Sequence, residues 1–371
     1  MKHKPAQLIP RERLLSLDAL RGFDMFWITG GGVLVTVLAT YSSARWLQAL
    51  AQQMEHVEWT GFHFYDLIFP LFMFISGVAI PFALISKLER HVPKSELAQK
   101  AFKRALILIV LGLVYNGVFQ NGFENPRLAS VLGQIGIAYF FAALITIYSK
   151  SFTIRLYWLG GLLLGIGILQ LLVPVPGFGA GVLTPEGSIN GYIDQMFLPG
   201  KLYGGTFDPE GLLSIVSAIT VTLMGSVAGH FLRDKKTSNA QKIKTLSIIG
   251  ASAIALGLLL STFYPIIKAC WTVPFNLLTG GIGFLLMMLF YWIIDVKGWK
   301  KWSFFFRVIG MNSIFIYLFY RLVDVDAVSK FFFGWTVLWG DFGPVLSIVG
   351  SILLVWSLLY YMYKKNIFLK V

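Results

Sequence analysis

Apolar residues along this chain come in long continuous runs broken by short polar stretches. A window of about 19 residues, moved along the chain in search of apolar stretches near 20 residues long, predicts membrane-crossing segments. Ten fall at roughly 17–40, 64–86, 104–120, 129–149, 155–173, 211–231, 245–264, 275–294, 304–322 and 344–363. The run at 331–339 is too short to cross and reads as an interfacial or re-entrant piece, a possible eleventh element. A strand edge in lipid has no hydrogen-bond partner, so each run must be a helix or part of a closed barrel; the runs lack a barrel's alternation and therefore predict helices. The expected fold class is an all-α polytopic membrane protein, one integral membrane domain over residues 1–371.

Composition agrees with this reading. Of 371 residues, 56% are hydrophobic and 13% charged, with a mean hydropathy of +0.71. A soluble globule carries about twice that share of charge. A net charge of +13 would suggest a nucleic-acid partner in a soluble chain. Sorted by loop, it becomes a topology signal instead. Twenty-four cations lie on one side, at Lys2, Lys4, Arg11 and Arg13 and in the stretches 87–104, 150–155, 233–244, 297–307 and 364–370; only Arg45, Arg127, Lys201, Lys268, Arg321 and Lys330 lie on the other. The positive-inside rule then predicts cytoplasmic termini, with loops 41–63, 174–210 and 321–343 facing outward. Asp18, Arg21 and Asp24 interrupt the first run and no small-residue cleavage site follows, so it reads as a retained helix and not a signal peptide. The single cysteine, Cys270, excludes an internal disulfide.

Ionisable groups at membrane depth need a partner or a cavity, so they mark candidate chemistry. Asp18, Arg21 and Asp24 recur every third residue, close enough to pair on one face, or to leave Arg21 for an anionic ligand. His56, Glu58, Trp59, His63 and Asp66 fall in HVEWTGFHFYDLIFP, at the outward end of the second helix. A histidine there can exchange a proton near neutral pH, attack as a nucleophile, bind metal, or serve only as a structural hydrogen-bonding group. The spacing of His56, His63 and Asp66 matches no compact zinc motif, and no metal is expected. Asp194, and Asp208 with Glu210, offer carboxylates to a polar acceptor, although Asp208-Pro209 also makes a helix start. Lys268 and Trp271 precede the eighth helix. Asn312 lies inside the ninth, as an interhelical amide or an oxyanion donor. Lys103 and Arg104 either snorkel or hold phosphates at the cytoplasmic edge. No G-x-G-x-x-G or P-loop pattern occurs, and the GGG at 30–32 reads as close helix packing.

Taken in order, RLLSLDALRGF at 13–23, HVEWTGFHFYDLIFPLFMFISG, LGQIGIAYF at 132–140, PVPGFGAGVLTPEG at 174–187, GYID at 191–194, FDPEGLL at 207–213, IIDVKGW at 293–299 and GMNSIFIY at 310–317 resemble the transmembrane acetyltransferase family typified by heparan-alpha-glucosaminide N-acetyltransferase. The resemblance runs over almost the whole chain, through H-x-x-W-x-G and D-L-x-F-P. It implies transfer of an acetyl group from cytosolic acetyl-CoA to the amine of a glucosamine-type sugar across the membrane. His56 would be the catalytic residue, as base or transient acetyl carrier, with Asp66 and Asn312 assisting. Trp59, Asp194, Asp208, Glu210, Lys268 and Trp271 would face the acceptor, and Arg21, Lys103 and Arg104 the CoA phosphates. It further implies a homodimer in the lipid bilayer, and the absence of the lysosomal enzyme's extra lumenal domain fits a bacterial inner-membrane form. Many relatives carry an asparagine in the first helix where this chain has Gly32. The alternative reading is an amino-sugar or oligosaccharide transporter, although the chain lacks the internal repeat common in such folds.

Overall fold

The structure, a computed structural model, describes residues 14–369; Lys2, Lys4, Arg11, Arg13 and Lys370, counted above for orientation, lie outside them. The described chain is a bundle of helices. The main ones are α1 (Leu15–Phe26), α2 (Gly32–Thr40), α3 (Arg45–Gln52), α4 (Phe64–Ile80), α5 (Lys94–Tyr115), α6 (Val131–Tyr148), α7 (Phe152–Leu172), α8 (Ile189–Phe197), α9 (Leu212–Arg233), α10 (Asn239–Leu260), α11 (Val273–Phe290), α12 (Phe304–Gly310), α13 (Ser313–Leu322), α14 (Val325–Phe333) and α15 (Gly343–Lys364). One small antiparallel hairpin pairs Pro174–Val175 with Gly179–Ala180.

Eight spans among the described residues are long and apolar enough to cross a membrane, or nine if α12 and α13, bent by 70°, form one broken span. Ten were expected. The difference is the run at 104–120, which belongs to α5. That helix opens with Lys94, Lys100, Lys103 and Arg104, and only Ala105 to Tyr115 is uncharged, about 16 Å at 1.5 Å per residue and about half the hydrocarbon thickness. The 331–339 run ends α14 and enters a tight helical turn at Gly334–Phe342 that leads into α15.

Burial orders the bundle. The α9 span is 83% buried and the α4 span 67%, whereas the α7 span is 6% buried. An apolar helix that hides no face inside the protein has its apolar surface available to lipid, so α7 is peripheral and α9 central. Glycines set the central crossing. A Cβ on Gly77 would lie 2.0 Å from the Thr222 carbonyl oxygen, and one on Gly225 would lie 1.9 Å from that of Phe74, so α4 and α9 touch backbone to backbone.

The first span is broken where GGG was expected only to aid packing. Thr29 and Gly30 leave helical geometry, with Gly30 at φ +127°, a conformation open to glycine at little cost. The break frees the Thr29 carbonyl, and the Tyr320 hydroxyl donates to it at 2.6 Å.

Candidate active site

The loop between α3 and α4 closes back on itself before α4 begins. Gln53 supplies its carbonyl to the Tyr65 amide at 3.0 Å and its side-chain oxygen to the Phe64 amide at 2.9 Å. His63 and Asp66 cap α4 reciprocally, with Asp66 Oδ2 accepting the His63 amide at 3.1 Å. Pro70, one turn on, has no N–H to offer the Asp66 carbonyl, so the last residue of D-L-x-F-P opens the backbone at this acid. His56 is thereby held over the start of α4. Its Nδ1 lies 2.7 Å from Asp66 Oδ1 and its ring rests 4.9 Å from that of Tyr65. Asp66 is 2% exposed at its side chain and His56 53% exposed.

A second loop brings the lysine. Thr60 bridges to Ile267 and the Gly61 amide donates to the Ile266 carbonyl at 2.9 Å, which fixes the 264–272 turn against the histidine loop. Trp271 sits at φ +48°, a left-handed conformation that costs a bulky residue about 1–3 kcal/mol. Its ring, 1% exposed between Phe69 and Phe275, holds the turn there. Lys268 Nζ consequently reaches 3.2 Å from Asp66 Oδ1 and 3.0 Å from His56 Nδ1. Burial pushes the Lys268 ammonium below the usual lysine value, while Asp66 and Glu210 pull it back.

These groups stand at the mouth of a cavity of about 280 Å³ that continues between α1, α4, α6 and α13. His56, Lys268, Glu210 and Tyr65 line its polar end, and Ile28, Phe72, Ile135 and Ile314 its apolar depth. From Tyr65 to Phe72 the cavity follows α4 for about 10 Å. That volume is at the low end for a small-molecule site and suits one reacting end of a ligand better than two whole substrates.

Beside it lies an acid cluster that is saturated. Arg127 grips Asp208 through two bonds, Nε to Oδ2 at 2.8 Å and Nη2 to Oδ1 at 2.7 Å, and also binds Glu210. Asp208 takes the amides of Tyr203 and Glu210 as well. Burial works against the Arg127 charge, but the bonds and charges of Asp208 and Glu210 outweigh it and raise the guanidinium pKa. Burial keeps the Glu210 carboxyl above its usual range even beside Arg127. Asp194 accepts the amides of Asp208 at 3.2 Å and Leu212 at 2.8 Å, and burial raises its pKa to about 6.

Several expectations change here. Asp194 and Asp208 are both fully buried and bonded, so they build the loop and do not face an incoming acceptor. The helix starts at Leu212, not at Pro209, and Asp194 serves its first amide. Trp59 donates to the Leu183 carbonyl at 2.7 Å and packs on Phe207, pinning the 183 loop outside the cavity lining. Trp271 is core, as described. Asn312 sits at the α12–α13 break, where its amide donates to the Ile367 carbonyl and accepts the Leu369 amide, both at 3.1 Å; the C-terminal tail occupies it, so it is not an oxyanion donor beside His56. Arg21 pairs with Asp18 at 3.6 Å, whereas Asp24 is 1% exposed with no hydrogen-bond partner among the described residues. Lys103 is exposed, and Arg104 lies 4.1 Å over the Tyr139 ring, about 16 Å along α5 from cavity-lining Tyr115. Among the described residues no group of three or more His, Cys, Asp or Glu is placed to hold a metal. Two groups escaped the sequence reading. Arg127 counted only as one of six outward cations, and Tyr65 carried no signal beyond its place next to Asp66.

No family model matches the chain. It is similar to heparan-alpha-glucosaminide N-acetyltransferase of Mus musculus, 27% identical over 422 aligned residues, covering 98% of this chain and 62% of that protein. It is also similar to the Homo sapiens protein of the same name, 27% identical over 363 residues, covering 82% of this chain and 52% of that one. This is a distant family relationship, and the chain spans only about half to three-fifths of the length of these curated relatives.

Proposed function

We propose that the chain transfers an acetyl group from acetyl-CoA to the amine of a glucosamine-type sugar, with the reaction centred on His56. The observation that carries this reading is a half-exposed imidazole, held through Nδ1 by a buried carboxylate, at the polar mouth of an apolar cavity. An amine near neutral pH is mostly protonated and a poor nucleophile, so a neutral imidazole that removes its proton is the group the reaction needs. Asp66 occupies Nδ1, so Nε2, with Lys268 Nζ 3.5 Å away, is the nitrogen proposed for that task.

The apolar depth fits the uncharged thioester end of acetyl-CoA. Its phosphates would lie on the cytoplasmic side, where Arg21, Lys103 and Arg104 are the cations proposed to meet them, although none of the three lines the cavity. When bound there, acetyl-CoA supplies an activated acyl group. Glu210 at the mouth attracts an ammonium-bearing sugar, and the Tyr65 hydroxyl is the proposed donor to the developing oxyanion. Tyr65 lies where the relatives' asparagine would reach, since a Cβ on Gly32 would sit 3.5 Å from its ring. One oxyanion donor is worth roughly 3–4 kcal/mol in other enzymes.

Purified protein incubated with radiolabelled acetyl-CoA and glucosamine should form N-acetylglucosamine, and in vesicles only when donor and sugar are on opposite sides. Uptake of unmodified sugar without product would replace this reading with transport. Label retained on His56 in the absence of acceptor would show the imidazole as acetyl carrier, and label passing to sugar with none on the protein would show it as base.

A further inference from the structure

Two buried polar groups, one turn apart on the first span, stand without a partner. Asp24 is 1% exposed, and neither of its carboxyl oxygens accepts a hydrogen bond among the described residues. The Trp27 indole N–H is sealed from solvent as well and donates to nothing among them. Edge contacts with Phe23, Phe26 and Phe64 hold the indole ring in place. An acceptor and a donor left unbonded inside a core each carry a desolvation cost that the protein itself does not offset.

Their place along the span gives the pair a use. Met25, the residue after Asp24, and Ile28, one turn on, line the cavity that opens at His56, and Arg21 stands one turn before Asp24 toward the basic end. Read from that end to the mouth, the order is a guanidinium, a carboxyl with an indole N–H, an apolar wall and an imidazole. Coenzyme A has the same order of chemistry: phosphates, then a pantetheine arm carrying secondary amides, then the thioester. A cavity of about 280 Å³ holds one reacting end, so the amides of the arm need partners beyond it. Each amide brings one N–H donor and one C=O acceptor. Asp24 accepts, in either protonation state, and Trp27 donates.

We propose that Asp24 and Trp27 bind a secondary amide of the pantetheine arm, Asp24 accepting from its N–H and Trp27 donating to its carbonyl oxygen. This rests on the acetyl-transfer reading above. Admission of the arm requires the first span to shift at this level, and its break at Thr29 and Gly30, just beyond Trp27, supplies the joint. The amide is remote from the reacting carbonyl, so the contact is the same before and during acyl transfer. It sets affinity for the donor and leaves the chemical step alone.

The test measures binding without turnover. Wild type, Asp24→Asn, Asp24→Leu and Trp27→Phe are titrated in detergent with three probes: acetyl-CoA, an acetyl-CoA analogue whose pantetheine amides are replaced by esters, and adenosine 3′,5′-bisphosphate, which lacks the arm. Asp24→Leu and Trp27→Phe should each bind acetyl-CoA about tenfold more weakly, whereas Asp24→Asn, which keeps an accepting oxygen, should stay within about threefold of wild type. All four should bind the bisphosphate alike. Wild type should prefer the amide arm to the ester arm, and Asp24→Leu should not distinguish them. Without ligand, Asp24→Leu should melt at a higher temperature than wild type, since an apolar side chain replaces an unbonded polar one, which separates lost binding from lost folding. In turnover its KM for acetyl-CoA should rise with kcat within about twofold of wild type. Unchanged acetyl-CoA affinity in Asp24→Leu, or equal weakening toward the bisphosphate, overturns the proposal. Wild type that shows the expected preference for the amide arm yet forms no acetylated sugar defeats the transfer reading alone, and wild type that binds no acetyl-CoA overturns both.

Discussion

Two acid clusters share one end of the bundle and end with opposite chemistry. Around Arg127, Asp208 spends both oxygens on the guanidinium and on backbone amides, Asp194 spends both on amides, and both residues are fully buried. Around Asp66 the oxygens are occupied too, but Oδ1 faces an imidazole and an amine, groups that exchange protons, and the imidazole is half open to solvent. A carboxylate that meets only fixed donors is part of the frame. One that meets titrating partners beside a cavity is a candidate for reaction. Glu210 belongs to both, held by Arg127 and exposed to the cavity.

Substitutions can break this contrast, and the largest effect belongs to the proton-exchanging side. His56→Ala should lower kcat about 10³-fold while the protein keeps its elution volume and melting temperature; turnover within a few-fold of wild type would remove His56 from the chemistry. Arg127→Ala strands two buried acids and should cost about 3 kcal/mol, read as a lower unfolding temperature in detergent, with activity lost only through unfolding. Asp208→Asn keeps the shape but removes a charge from the Arg127 grip. It should cost about 2 kcal/mol and leave kcat of the folded fraction within about threefold, and a loss comparable to that of His56→Ala would show that the frame takes part in the reaction.

The smallest effect is a pH dependence on the frame side. The folded-state pKa of Asp194 is raised to about 6 from 3.8, so between those values the folded protein binds more protons than the unfolded chain, and stability falls as pH rises through that window. A loss of about 1–2 kcal/mol from pH 4 to 6 is expected, flattened in Asp194→Asn. An unchanged slope in that variant would assign the dependence to another group.

Much of the fold was legible because lipid permits few choices. Spans such as 64–86, 129–149 and 211–231 match helices to within a few residues. The 104–120 run misled because its apolar part is too short once Lys103 and Arg104 are set aside, and 304–322 concealed the bend at Asn312. By residue type the sequence named His56, Asp66, Glu210 and Lys268, which the structure brings together as a candidate site. It was misread where polarity alone was the guide: Asp194, Asp208, Trp59, Trp271 and Asn312 are polar or amphipathic residues whose bonding groups or rings are used internally.

By itself the sequence determined that the chain is helical and made for a membrane, since backbone hydrogen bonds in hydrocarbon must close within each segment. It also set the helix-start chemistry of His63 and Asp66, which is local over four residues. Only tertiary structure decided which acids are silenced and which are left reactive. Lys268 meets Asp66 across 202 positions of sequence and Arg127 meets Asp208 across 81, and no local periodicity encodes such pairings. They follow from backbone approaches such as Gly77 on Thr222 and from the turn at Trp271, which bring distant loops within hydrogen-bond reach.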